Sequence, residues 1–313
     1  MKPRRGLRTA LAVAAIATAA AGCGLGSGER SEGEATLTVT RDYGVEVMLE
    51  ASEPEPSESE TVIRMLDAEA EIATRYGGGF VHSIDGVSGE VSGGRSLDWF
   101  FFVNGIESSV GAAEVPVRGG DRIWWDYRDW TDAMRAPAVV GSWPEPFAQA
   151  SADGGRVPVR IECRGAAAPC DEVAERLAEA GVDATAPADG SEPALRLLVG
   201  AWARVGSDPV ATQLDDGPQA SGVFARFERF RSGFRLLALD ERAEVASTQA
   251  SDAGLVAALR RGERPPTWLV TGTDAAGVAA AAEALDGDRL AHRYALAVTP
   301  EGDLRLPAGR GSG

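Results

Sequence analysis

Hydrophobic and polar positions along this chain fall into two blocks with different rhythms. In the first, residues 35–41 place Leu37 and Val39 between Thr36, Thr38 and Thr40, a period of two that predicts a strand, which residues 44–49 continue. Residues 53–60 then read as an acidic, proline-containing loop. Val62, Ile63, Leu66, Ala70 and Ala73 recur on one helical face, predicting one amphipathic helix that opens on a Ser57 and Glu60 capping box and ends before Gly77, Gly78 and Gly79. Strand-like runs follow at 80–84, 97–103, 115–117 and 122–127, punctuated by Asp85-Gly86 and Asn104-Gly105 turns. The order is strands, a single helix, then more strands.

From residue 157 the rhythm changes. Strands are predicted at 157–162, 194–202, 222–230, 234–240, 266–271 and 294–299, and helices at 171–180, 252–260 and 274–285. Strands alternating with helices argue for an α/β domain with a partly parallel sheet. Between the blocks, Pro137, Pro144 and Pro146 with isolated Trp143 and Phe147 mark a linker that partly packs on its neighbours. The fold class expected is α+β, with a β-rich domain at 35–132, a linker at 133–156, a separate α/β domain at 157–300 and a disordered tail at 301–313. Length allows two domains of ordinary size.

The N-terminus has its own pattern. Lys2, Arg4, Arg5 and Arg8 precede an uncharged apolar run at 9–21, shorter than a spanning helix needs. That is the layout of a cleavable signal peptide, residues 1–22. Residues 24–34 are rich in Gly, Ser and Glu, a composition suited to a flexible tether.

Charge narrows the function. The chain carries −16, and loss of the basic leader makes the mature portion more acidic still, so binding of DNA, RNA or an anionic lipid surface through charge is disfavoured. Lys2 is the sole lysine, which removes lysine-based nucleophilic chemistry from the mature protein. His82 and His292 are the only histidines, too few for a multi-histidine metal site. No nucleophile elbow, phosphate loop or metal-ligand cluster is legible, and neither a catalytic nor a metal-binding set is assigned.

With Cys23 set apart at the end of the leader, Cys163 and Cys170 form an even pair. In an oxidising compartment a disulfide is the expected state; a redox or metal role is the alternative, against which stand the spacing and the lack of a nearby histidine. Trp99, Phe100, Phe101, Phe102, Trp124, Trp125, Tyr127 and Trp130 crowd into one short stretch. Alternation sends half of them to each face of a sheet. One register puts Phe100, Phe102 and Trp124, or their neighbours, on the helix and leaves Trp99, Phe101, Trp125 and Tyr127 outward as a ligand-binding strip; the sequence does not fix the register, and a reading of at least equal weight covers that strip with the second domain. Residues 271–277 join a strand to a helix, where main-chain N–H groups could hold an anion, but capping by Thr273 or Asp274 explains them better. Asp215-Asp216-Gly217 reads as a solvated turn rather than a calcium loop.

Two resemblances add to these readings. Ala20-Ala21-Gly22-Cys23 resembles the lipobox of bacterial lipoprotein precursors, with Ala20 where that family usually has Leu. It implies diacylglycerol on Cys23 and an anchored N-terminus outside the cell membrane. Residues 61–67, 76–86, 98–105 and 111–127 resemble, in order and spacing, the C-terminal domain of transcobalamin and intrinsic factor and the uncharacterised bacterial family related to it. That resemblance spans about 35–130 and implies a β-grasp-like domain, with a corrinoid as a candidate ligand. The large helical barrel that completes the corrinoid site in the animal carriers is missing.

Together these readings predict a non-catalytic extracytoplasmic lipoprotein that binds a small ligand or a surface protein, accessory to uptake, and uses no cofactor. A structural or adhesive surface module is the alternative, and catalysis the third reading.

Overall fold

In a computed structural model of the protein, residues 29–149, 156–186 and 193–309 are described. The leader, Cys23 and most of the expected tether lie outside them. No helix among the described residues is long and apolar enough to cross a membrane.

The N-terminal region opens with β1 (Glu34–Arg41) and β2 (Glu46–Pro54), an antiparallel hairpin turned at Asp42, Tyr43 and Gly44, all at positive φ. One helix follows, α1 (Val62–Glu69), then β3 (Ile72–Arg75), β4 (Phe80–Ile84) and β5 (Val87–Ser88) as a small antiparallel sheet. Next come β6 (Glu90–Ser92), β7 (Arg95–Val103), β8 (Ile106–Glu107) and β9 (Arg122–Asp129). They extend the main sheet in the order β2-β1-β9-β7-β6, with β8 also on β7; β1 and β9 run parallel and the other pairs antiparallel. Val62, Met65 and Leu66 of α1 close one face of this sheet over Leu37 and Val39.

The helix is shorter than its sequence pattern suggests, because Ile72 leaves it to start β3. Its expected capping box does not form. Thr61 is the N-cap and makes no side-chain bond, while the Val62 N–H donates to the Val115 carbonyl at 3.0 Å and Ser57 pairs with Ser59. The packing of 115–117 against the helix start replaces the cap, so that segment forms only a bridge from Pro116 to Thr61 rather than a strand. The Asp85-Gly86 and Asn104-Gly105 turns hold both residues at positive φ, as a tight hairpin turn requires.

The second region contains β10 (Val159–Cys163), α2 (Ala168–Glu179), β11 (Leu195–Ala201), α3 (Trp202–Val205) and α4 (Pro218–Ser221). A meander of β12 (Ala225–Phe230), β13 (Gly233–Leu239) and β14 (Val245–Gln249) follows. The chain continues through β15 (Gly254–Leu259), β16 (Thr267–Gly272), α5 (Ala275–Glu283), α6 (Gly287–Leu290), β17 (Ala295–Thr299) and β18 (Gly302–Leu306). Its main sheet is ordered β10-β11-β16-β15-β17-β18, parallel across β10, β11 and β16 and antiparallel beyond. The protein is therefore mixed α+β, mostly strand, with several distinct sheets.

Two expectations are corrected. Residues 252–260, read as a helix, contain the central strand β15, and all six of its residues are buried. A strand with neighbours on both sides and cover on both faces is apolar throughout, and so shows no period that separates it from a buried helix. Residues 301–313, read as a disordered tail, include β18, and Ala308 beyond it is buried with its N–H on the Leu239 carbonyl.

Helices α2 and α5 cover one face of the second sheet, burying Val256, Trp268 and Val270. The other face meets the β12–β14 meander and also the N-terminal sheet: Tyr43, Phe102 and Trp124 share a core with Phe224, Leu255 and Tyr294. The segment read as a linker threads both cores, Ala136 and Val139 in one and Val140, Trp143 and Phe147 in the other.

Candidate functional site

The aromatic cluster sits on β7 and β9, where Trp99 faces Tyr127, Phe101 faces Trp125 and Phe102 faces Trp124 across the ladder. Odd-numbered positions of both strands lie under α1. There Phe101 stacks on Trp125 with centroids 4.7 Å apart, and Trp99 leans on Tyr127 at 5.2 Å. Even-numbered positions face the second region, where Phe102 and Trp124 both meet the Tyr294 ring edge-on.

This arrangement inverts the face assignment made from sequence. Trp99, Phe101, Trp125 and Tyr127, expected outward, are all buried against α1, while Phe102 and Trp124, expected under the helix, are what the second region covers. Both faces are aromatic, so hydrophobic pattern could not choose between two registers that differ by one residue.

Burial does not remove the cluster from contact with solvent. Trp99, Phe101 and Trp125 form the inner wall of a groove of about 280 Å³ at the outer edge of β7; Tyr127 takes no part in it. Phe80 from β4 and Val110 form an apolar rim, both partly exposed, and Glu107 and Arg135 line one end. The groove exists because β6 pairs with β7 only over residues 95–97 and β8 only over 102–103, which leaves 98–101 without a strand neighbour on that side among the described residues. The Phe101 carbonyl on this edge accepts from the Ser108 N–H at 3.1 Å.

Polar groups around the groove are mostly engaged. The Trp99 indole donates to the Val87 carbonyl at 2.8 Å, and the Tyr127 hydroxyl to that of Ser88 at 2.9 Å. Asp98 accepts from the Trp99 N–H at 2.9 Å, and burial holds its carboxyl above the usual range against the opposing pull of that bond, His82 and Arg75. Glu107 is buried and takes the Ala136 N–H at 2.6 Å, Arg128 at 3.6 Å and Arg135 in an ion pair. Arg128, fully buried, lies 3.9 Å over the Phe100 ring and donates to the Ala133 and Met134 carbonyls. This network clamps the 133–136 segment to the end of the groove.

One group stands apart. The Trp125 Nε1–H is buried with no acceptor, whereas the indole N–H groups of Trp99 and Trp124 both have one. Leaving such a donor unpaired costs about 1–3 kcal/mol, and it lies in a residue that walls the groove. Sequence showed the aromatic density but not the groove, because its rim comes from Phe80 and Val110, each distant in sequence from Trp125. The glycine run before Phe80 was the signal available, read only as a helix stop.

Elsewhere, Cys163 and Cys170 are joined in a disulfide with Cα atoms 6.1 Å apart, which ties the end of β10 to the start of α2. Asp274 caps α5 by accepting from the Gly277 N–H at 3.0 Å, the capping role preferred for that segment. No group of three or more His, Cys, Asp or Glu side chains that could hold a metal is found among the described residues.

Residues 59–129, which hold α1 and every wall of the groove but Arg135, match the family described as Domain of unknown function (DUF4430). A solved structure from Ruminococcus gnavus, of a protein for which metal binding has been suggested, is similar at 18% identity, covering 31% of this chain and 98% of that one with a TM-score of 0.25. No curated protein matches.

Proposed function

We propose that this protein is an exported, lipid-anchored binding protein whose N-terminal domain takes a small ring-bearing ligand in the groove beside β7. The observation that carries the reading is the groove's aromatic wall, Trp99, Phe101 and Trp125 behind a rim of Phe80 and Val110, a surface suited to the face of a flat ligand. A single helix over a sheet in which the first and last strands run parallel at the centre supports a β-grasp-like domain of the transcobalamin type. At about 280 Å³ the groove falls just below the ~300–1,000 Å³ typical of ligand sites, so it admits one ring or the edge of a corrinoid rather than the whole macrocycle.

The role is non-catalytic in this reading, because the nearby carboxylates serve structure: Glu107 is held by two arginines and Asp98 by a main-chain N–H. Equilibrium dialysis of the purified protein against cobalamin and cobinamide is the test. Saturable micromolar binding that weakens at least tenfold in Val110→Arg, which fills the rim from an exposed position, supports it. Binding unchanged in that variant removes the groove, and absence of binding removes the corrinoid.

Anchoring rests on Cys23 and on the leader before it. Replacing Cys23 by Ser is expected to shift the protein from the membrane fraction to the medium and to abolish lipid labelling; retention of both would overturn the anchor.

A further inference from the structure

A second pocket, remote in sequence from the groove, lies at the opposite side of the molecule's chemistry: it is basic. Its volume is about 490 Å³, and its charged lining consists of Arg160, Arg196, Arg261 and Arg264. Among the described residues no carboxylate lines it, in a chain where 47 acidic residues outnumber 31 basic ones. Val210, Leu259 and Pro265 supply apolar wall.

The sheet register builds this concentration. Arg160 of β10, Arg196 of β11 and Thr267 of β16 stand side by side across three parallel strands. Arg196 is fixed in place: it donates to both oxygens of Glu162 at 2.8 and 2.9 Å, and to Asp208 at 2.8 Å. Arg160 is buried, with Glu162 at 4.0 Å. These two arginines thus have carboxylates behind them.

Arg261 and Arg264 differ. Both are exposed on the turn between β15 and β16, and neither side chain has a hydrogen-bond or ion-pair partner among the described residues. The turn's nearest acid, Glu263, is taken by Arg260 at 3.1 Å. The turn is itself pinned, with the Arg260 Nε on the Arg264 carbonyl at 3.0 Å. Two guanidinium groups with no carboxylate partner among the described residues therefore stand at the mouth of a cavity with an apolar wall.

We propose that this pocket is a binding site for a small organic dianion, its phosphate or paired carboxylates held by Arg261 and Arg264 and its apolar body resting on Val210 and Pro265. Guanidinium forks match either oxyanion in a bidentate manner, and the cavity has the volume of an ordinary ligand site.

Isothermal titration of the purified protein with phenyl phosphate, phthalate and phenol tests the idea. Phenyl phosphate alone, or phthalate alone, binding more tightly than phenol supports the site and identifies the head group; both doing so supports the shared dianion chemistry. The double variant Arg261→Ala, Arg264→Ala should weaken that binding at least tenfold, an effect of ~1.4 kcal/mol or more, with its melting temperature kept because both side chains are exposed. Added salt should weaken it as well. Val110→Arg should leave it unchanged, which separates this site from the groove. Phenol binding as tightly as the anions, no binding at millimolar ligand, or unchanged affinity in the double variant overturns the proposal.

Discussion

Glu145 sits in an environment that its sequence neighbours do not suggest. Placed between Pro144 and Pro146 in a segment that reads as linker, it is only 6% exposed, and its Oε2 is buried without a partner. Burial pushes its carboxyl up to about 7, with Arg122 pulling down and Asp121 adding to the rise. A carboxyl raised in the folded state favours the protonated fold, so this contribution to stability is full below the ordinary value of about 4.5 and is lost as pH rises through about 7. Glu145→Gln should therefore raise the melting temperature at pH 8, by ~2–4 °C for each kcal/mol recovered, and change it little at pH 4. Equal shifts at both pH values would show that the carboxyl is not the cause. Trp125→Phe probes another orphaned group: removing the unpaired donor returns about 1–3 kcal/mol while the smaller ring leaves a cavity that costs about as much, so net stability should change by less than ~2 kcal/mol. A loss well above that in urea unfolding would mean that lost packing outweighs any relief from the unpaired donor. Neither residue could be singled out from sequence, because what distinguishes them is the lack of a partner, a property of their surroundings.

Among the elements, α1 and α2 illustrate two ways of holding a helix. Short α1 has no side-chain cap and depends on packing. Leu66, fully buried between the helix and the β1, β9 and β7 face, should cost about 2–5 kcal/mol when changed to Ala, read from the urea midpoint. A cost below 1 kcal/mol would place the helix outside the core. The longer α2 is tied covalently to β10 through Cys163 and Cys170. Replacing both by Ser should lower stability by roughly 2 kcal/mol, a modest figure because the closed loop is short. Thiol labelling of the unfolded wild type should find no free thiol from this pair, and one that did would remove the effect. The cysteine pairing was legible from parity and compartment. The strand at β15 was not, since a run such as Leu255, Val256, Ala257 and Ala258 fits a buried helix as well as a central strand.

Across the whole molecule, the two regions are joined by more than a linker. Asp126 is fully buried on the N-terminal sheet, where it accepts from Thr40 at 2.6 Å, from the Gly44 N–H at 3.0 Å and from the Tyr294 hydroxyl of the second region at 2.9 Å. Burial holds its carboxyl above the usual range despite these bonds. Around it, Tyr43 meets Phe224 and Tyr294 edge-on. Such an interface should make unfolding a single transition, and Tyr294→Phe should lower the whole of it by about 1–3 kcal/mol. Two separate calorimetric transitions, with only one moved by the substitution, would contradict this coupling.

Local pattern was sufficient for the single helix among strands of the first region, the tight turns, the paired cysteines, the aromatic density of β7 and β9, and the change of rhythm near residue 157. Those features depend on neighbours a few positions apart, whose periodicity and turn chemistry are written in the chain. Tertiary packing decided which aromatic face lies under α1, that the proline-rich segment threads two cores, that β18 closes the second sheet, and where Arg261 and Arg264 stand. Each of these depends on contacts between residues far apart in sequence. Where both faces of a strand are apolar, or a charge's partner is remote, the alternatives have nearly the same local pattern, and only the assembled structure separates them.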